Sequence, residues 1–263
     1  ICNIINELKL ITFQIYPYLI VNDSGLADAR REERILQLMR MLNAPLQKFK
    51  ETSKRFISMT VPRVVAVFPQ MRLVEDVPSS LSLLDIFKKH CSSKGIDHNQ
   101  PVSHYYEQLG QIQKRGHQAS HLILKDIFKD IQKNLIPKTV LKDWACKTFD
   151  SSTDFWTFRK MFTTQLAIWS IMEYALYLTR LNPEMLYIHK DTGLANVSYF
   201  KFEIDELTIT SEASASRLPF RLTPNICELI GNIGISGSFM CTITAIARCF
   251  LQPNYHVRIF SLN

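Results

Sequence analysis

The chain has 263 residues, of which 21% are charged and 46% hydrophobic, and its formal net charge is +7. That length buries a sizeable core in one large or two small domains, and the composition excludes a disordered chain. The positive balance permits contact with nucleic acid or acidic proteins, but no long Lys/Arg run concentrates it, so scattered solvated lysines account for it.

Ile15–Val21 (IYPYLIV) reads as a strand and Asn22–Gly25 as a turn. A helix is expected from about Asp28 to Asn43, with Ile35, Leu38, Met39 and Leu42 on one stripe. Val61–Phe68 and Leu73–Val77 read as strands, and Pro78-Ser79-Ser80 as the cap of a helix over 81–90. The polar segment from Cys91 to Pro101 reads as a loop. From Ser103 two helical stripes follow, Tyr105/Leu109/Ile112 and Leu122/Leu124/Ile127/Phe128/Ile131, then a short helix over 140–147 beyond Pro137. Asp154 caps a helix to Leu178 that is apolar nearly all round, as a central helix is.

Leu178–Glu206 reads as a tight loop, a strand, a turn at Asp191-Thr192-Gly193 and a second strand. Thr208–Ser216 is polar, and two prolines set an extended segment over 218–224. A helix over 226–233, a loop at Gly234–Ser238 and a last helix over 239–250 complete the order. A strand-rich part followed by a helical part with one β unit is a bilobal α+β plan, divided near Val77 into 1–77 and 78–263.

The six cysteines are scattered with no CxxC pair and read as reduced thiols of an intracellular protein. Glu7 and Lys9 interrupt the opening apolar run, so no signal peptide is read there. Leu166–Leu178, broken by Ser170 and Glu173, is shorter than the roughly 20 residues a bilayer needs, so no membrane partner is expected. A start at Ile1 rather than Met points to a fragment. His117/His121 has ligand spacing but no HExxH signature, and GNIGISG lacks the ending of a phosphate loop.

DARREERILQL at Asp28, LTRLNPEML at Leu178, SYFKF at Ser198 and PFRLT at Pro219 resemble, in order, the helix motif, catalytic loop, magnesium loop and activation-loop segment of phosphatidylinositol-kinase-related kinases. Val64 and the Val77-Pro78 pair fit that family's hinge region. TVPRVVAVFPQMRLVEDVPSSLSL, DFWTFRKMFTTQLA and PFRLTPNICELIGNIGISG are closer to one branch, the very large pseudokinase scaffolds of histone acetyltransferase complexes. The resemblance runs over about Tyr16–Tyr255 and leaves out the first fifteen residues and the last several. It implies a PI3/PI4-kinase-type fold, with a partial N lobe and a largely helical, C-terminally truncated C lobe.

Phosphoryl transfer needs a phosphate lysine, a helix acid to hold it, an acid to orient the hydroxyl and two magnesium ligands. There is no lysine between Lys9 and Lys48, and the aligned lysine position is Val21 or Asn22. The helix acid survives as Glu32 with no lysine to pair, which leaves it only the role of favouring the helix N-terminus. Arg180 stands at the catalytic aspartate, and arginine is no base. Asn182 replaces the loop histidine. Met185 replaces the magnesium asparagine, and a thioether suits a hard cation poorly. Tyr199 replaces the D-F-G aspartate and Lys201 its glycine. Glu184 and Asp191 are nearby acids, expected to face solvent and to make the turn. The resemblance therefore implies no catalytic residue, cofactor or metal. It implies a nuclear, chromatin-based role in transcription regulation, with acetyltransferase-complex subunits as partners and activators engaged through the full-length protein. The competing expectations are a divergent active serine/threonine kinase of the same family and, from the charge, a module in direct contact with nucleic acid.

Overall fold

The computed structural model describes residues 8–9, 15–22, 28–68, 71–77, 79–114, 120–176, 182–197 and 220–252. In chain order, β1 (Leu8–Lys9) pairs antiparallel with β2 (Ile15–Tyr16), and β3 (Tyr18–Asn22) follows. Next come α1 (Asp28–Lys48), α2 (Lys50–Ser53), β4 (Val64–Phe68) and β5 (Met71–Glu75). β3, β5 and β4 form an antiparallel sheet with β5 in the middle.

Of the expected stripe of α1, Met39 and Leu42 are buried and Ile35 and Leu38 only partly so; the fully buried line is Leu36, Met39, Leu42 and Leu46, a stripe turned slightly from the expected one. From sequence α1 ends near Asn43, but the structure carries it through Pro45 to Lys48. Local hydrogen bonds hold that extra turn. The Asn43 side-chain amide donates to the Met59 carbonyl at 3.0 Å and accepts the Met59 N–H at 2.7 Å. Thr52, fully buried, donates its hydroxyl to the Leu46 carbonyl. Polar side chains thus satisfy backbone groups that the helix end and the following loop would otherwise leave unpaired.

β6 (Ser80–Ser82) leads into α3 (Leu83–Lys94). The helix cap is Ser82, two residues later than the sequence suggests. Its hydroxyl accepts the Asp85 N–H at 3.0 Å while Asp85 Oδ2 accepts the Ser82 N–H at 3.3 Å, a reciprocal capping box. The cap is displaced because Ser80–Ser82 is held as a strand. Gly95, at φ +67°, ends α3, four residues beyond the expected end. Then come α4 (Gln100–Lys114), α5 (His121–Asn134), α6 (Val140–Thr148) and α7 (Ser152–Leu176). Asp154 lies in the first turn of α7 rather than at its cap.

α7 is the centre of the core, as its all-round apolar sequence requires. Phe158, Phe162, Leu166, Ile168, Trp169 and Met172 are buried along it. Phe149, Phe158 and Phe162 stack, with ring centroids 4.5 and 5.9 Å apart. Such stacking adds to the area the rings remove from water. The Trp169 indole N–H donates to the Ala195 carbonyl at 3.3 Å, tying α7 to a second sheet. That sheet is β6, β7 (Leu186–His189) and β8 (Ala195–Val197), antiparallel in that order.

Last are α8 (Pro224–Gly234) and α9 (Met240–Phe250). Thr223 caps α8, accepting the Ile226 N–H at 3.4 Å, with Pro224 at the first helical position. The expected loop at Gly234–Ser238 is instead a π-helical turn over Ile235–Phe239 that joins the two helices, and the kink falls earlier, at Gly231 (φ 72°, ψ 163°). Pro224–Phe250 is 27 residues long and apolar enough to cross a membrane by length and composition. Here it is a core element: Ile226, Leu229, Ile230, Phe239 and Ile246 join the cluster around α7, and α9 also packs on α1 and α2.

Candidate functional site: a kinase-type cleft

The positions that the resemblance assigns to a kinase site fall in an upper part, α1 with the β3–β5–β4 sheet, and a lower part, the β7–β8 hairpin with the residues before it. In the upper part, Met71–Glu75 of β5 alternates, so Arg72 and Val74 point inward and are buried. Arg72 meets Glu32 of α1, Nη1 to Oε2 at 2.8 Å, with 5% of the arginine side chain and none of the glutamate side chain exposed. The sequence leaves Glu32 without a partner and gives it only a helix-start role. The structure corrects this: Glu32 is a fully buried carboxylate in an ion pair. A role confined to the helix N-terminus does not account for such burial, because desolvating a carboxylate is costly without a cation beside it.

The ladder adds a second fact. Val21 pairs directly with Arg72 across β3 and β5. Residues opposite each other in an antiparallel pair project to the same face, with Cβ atoms about 5 Å apart. The cation facing Glu32 therefore projects from the position across the ladder from Val21, one of the two positions that the resemblance aligns with the phosphate lysine. The sequence signal for Arg72 was its inward register in an alternating strand, legible only once β5 is known to pair with β3.

In the lower part, the described residues before β7 are held by backbone hydrogen bonds. The Asn182 carbonyl accepts N–H groups from Met185 at 2.9 Å and Leu186 at 3.3 Å, and the Pro183 carbonyl accepts the Leu84 N–H at 3.0 Å. Asn182 and Glu184 are exposed. Met185 is half-buried and packs against the hydrophobic core. Leu186 and Ile188 are buried beneath it. Arg180, Tyr199 and Lys201 lie outside the described residues, as do Leu178–Leu181, the polar 208–216 segment and the 218–219 part of the extended segment.

Asp191-Thr192-Gly193 makes the hairpin turn, as its chemistry suggests. His189 Nδ1 accepts the N–H groups of Asp191 at 3.2 Å and Thr192 at 3.3 Å, and the His189 carbonyl accepts the Gly193 N–H at 2.8 Å. Gly193 has φ +69°, and a Cβ there would lie 2.6 Å from Phe158 Cδ2. Asp191 itself is exposed. Among the described residues no group of three or more His, Cys, Asp and Glu is placed to hold a metal ion. His121 opens α5 after its cap Ser120, and His117 lies outside the described residues.

Residues 25–260 match the family model described as phosphatidylinositol 3- and 4-kinase, and the chain belongs to that family. Within it, the chain is 57% identical over 244 residues to the transformation/transcription domain-associated protein of Danio rerio, covering 93% of the chain and 6% of that protein. It is 56% identical over 244 residues to the human protein of the same name, again with 93% and 6% covered. It is 31% identical over 252 residues to the SAGA complex/NuA4 acetyltransferase complex subunit TRA1 of Saccharomyces cerevisiae, with 88% and 7% covered. The chain thus spans only a small fraction of the length of these relatives. Among solved structures it resembles the FAT and kinase domain of CtTel1, with a TM-score of 0.69, 16% identity, and 91% of this chain and 16% of that one covered. That likeness is one of fold: a bilobal, kinase-like α+β architecture.

Proposed function

We propose that this chain is a catalytically inactive, kinase-like module of a large nuclear scaffold that brings histone acetyltransferase complexes to transcription. Its lobes divide near Val77, with residues 1–77 a partial N lobe and 78–263 the C lobe. The observation that carries the reading is the Glu32–Arg72 pair. In an active kinase the helix acid steadies a lysine whose other task is to bind nucleotide phosphates. Here a cation reaches the acid from β5 and is itself buried, 4% exposed, so the steadying half of that arrangement remains and the phosphate-binding half does not.

The lower wall supports the same reading. The side chain at the magnesium-asparagine position, Met185, contributes to the core, and Asn182 offers an exposed amide in place of a ring. Arg180, Tyr199 and Lys201 complete the set of degenerate positions. The acids that could substitute, Glu184 and Asp191, are exposed, and Asp191 belongs to the turn. The names of the relatives, transcription-associated proteins and acetyltransferase-complex subunits, support the scaffold role and its complex partners, and with them a place in the nucleus.

Affinity purification of the full-length protein tests both parts. It is expected to recover acetyltransferase activity on histones and no phosphotransfer that depends on this chain. Absence of acetyltransferase activity would contradict the scaffold role. Phosphotransfer abolished by combined Glu184→Gln and Asp191→Asn substitutions would contradict the loss of catalysis.

A further inference from the structure

α4 and α5 form a hairpin that packs chiefly on itself. Tyr105 of α4 lies 5.2 Å from Phe128 of α5, ring centroid to centroid, and His104 Nε2 lies 3.3 Å from Asp130 Oδ2. No described residue of α4 is buried, and only Ile131 of α5 is. Between this hairpin and α3, α6 and the start of α8 runs an open groove of about 770 Å³. Its walls are apolar: Phe87, Val102, Tyr106 and Phe128 line it, and the last three are 56%, 64% and 59% exposed. An apolar trough of this kind between helices is unusual on a surface that meets only water.

The charges on the groove are of one sign. Lys125 and Lys129 of α5 line it, and among the described residues no carboxylate does; Asp126, 3.9 Å from Lys129 on the same helix, stands off the lining in a solvent-exposed pair of the kind that contributes little. The two lysines are four residues apart on one helix, so their side chains stand in a row about 6 Å apart along the rim. Small-molecule sites combine an apolar wall with several converging polar groups. This groove has a long apolar floor and a basic edge, which is the complement of an amphipathic helix with acids beside its apolar stripe. We infer that the groove between α3 and the α4–α5 hairpin docks an amphipathic helix of a partner polypeptide, with Leu/Phe-type side chains entering the floor and Glu/Asp side chains facing Lys125 and Lys129. The inference is independent of the loss of catalysis, since neither Glu32 nor Arg72 takes part.

The test uses the whole 263-residue chain and two fluorescent synthetic helices of roughly 16 residues. Both carry Leu and Phe at i, i+3, i+4 and i+7; one is flanked by Glu, the other by Lys at the same positions. Fluorescence anisotropy is expected to show the Glu-flanked peptide binding at least about tenfold more tightly, an advantage that shrinks as salt is raised. Phe128→Glu should abolish binding. Lys125→Glu with Lys129→Glu should reverse the preference, and the thermal melt of that double variant should be unchanged, because both lysines are exposed. Equal binding of the two peptides, or undiminished binding to the Phe128→Glu variant, would overturn the proposal. So would sedimentation showing that a second copy of the chain fills the groove, with dimers that Phe128→Glu dissociates.

Discussion

Glu32 and Arg72 show how little a residue's type says before its neighbours are known. A glutamate in the first turn of a helix has a sufficient explanation in the helix dipole, and an arginine in a strand is ordinarily an outward-facing one. Only the β3–β5 register and the inward phase of β5 bring them within 2.8 Å of each other in a site closed to water. Such a pair is expensive to break and less so to replace. Glu32→Gln or Arg72→Met alone should cost about 3–5 kcal/mol, because each leaves a buried charge behind. The double variant Glu32→Leu/Arg72→Met should recover most of that loss. Urea unfolding of the three variants measures it. Single-variant costs within about 0.5 kcal/mol of zero, the range of ordinary surface changes, would show that the pair does not hold α1 to the sheet.

At the scale of elements, the β7–β8 hairpin is fixed by its turn and by its seat on α7. Gly193 serves both, through a positive φ and a close approach to Phe158. Gly193→Ala combines left-handed strain with a clash against a packed ring and should cost about 2–4 kcal/mol by urea unfolding. A neutral substitution would mean that the turn relaxes freely. This turn, the stripe of α1 and the all-apolar α7 were legible in the sequence because periodicity and turn chemistry are local. Other features were not local. Ser80–Ser82 is a strand only because β7 lies beside it, which moved the α3 cap to Ser82. The last turn of α1 survives Pro45 because Asn43 clasps the backbone of Met59 beyond it and Thr52 of α2 donates back to the Leu46 carbonyl within it. Gly234 and Gly237 suggested a loop, yet tertiary packing of Ile230, Phe239 and Ile246 kept the chain helical through a π turn and left the break to Gly231. Around the candidate site, the Asp191 turn could be located from sequence, and Asn182 and Met185 fall just before β7 as the sequence reads them, while Arg72 required the fold.

For the whole molecule, stability should depend on pH through His90 of α3. Burial, followed by the positive charge of Lys94, holds its imidazole below the ordinary value of 6.5, with Asp143 opposing and Lys147 adding to the shift. Its buried Nε2 has no hydrogen-bond partner among the described residues. Between the lowered value and 6.5 the unfolded chain binds more protons than the folded one, so the stabilisation is present above 6.5 and is lost as pH falls through that window. Urea midpoints from about pH 7.5 to 5.5 should therefore fall more steeply for the unmodified chain than for His90→Gln. Parallel slopes would remove His90 from the account.

The central claim concerns nucleotide. A kinase cleft that binds ATP and magnesium is stabilised by mass action, by about 2.7 kcal/mol at a hundred times Kd. For a chain of this size that is a melting shift of about 5–10 °C. The most direct measurement is thermal unfolding of this chain with millimolar ATP, with and without magnesium. With Arg72 buried on Glu32 and Met185 packed into the core, the account predicts no magnesium-dependent shift. A rise of several degrees that requires both ATP and magnesium would contradict it.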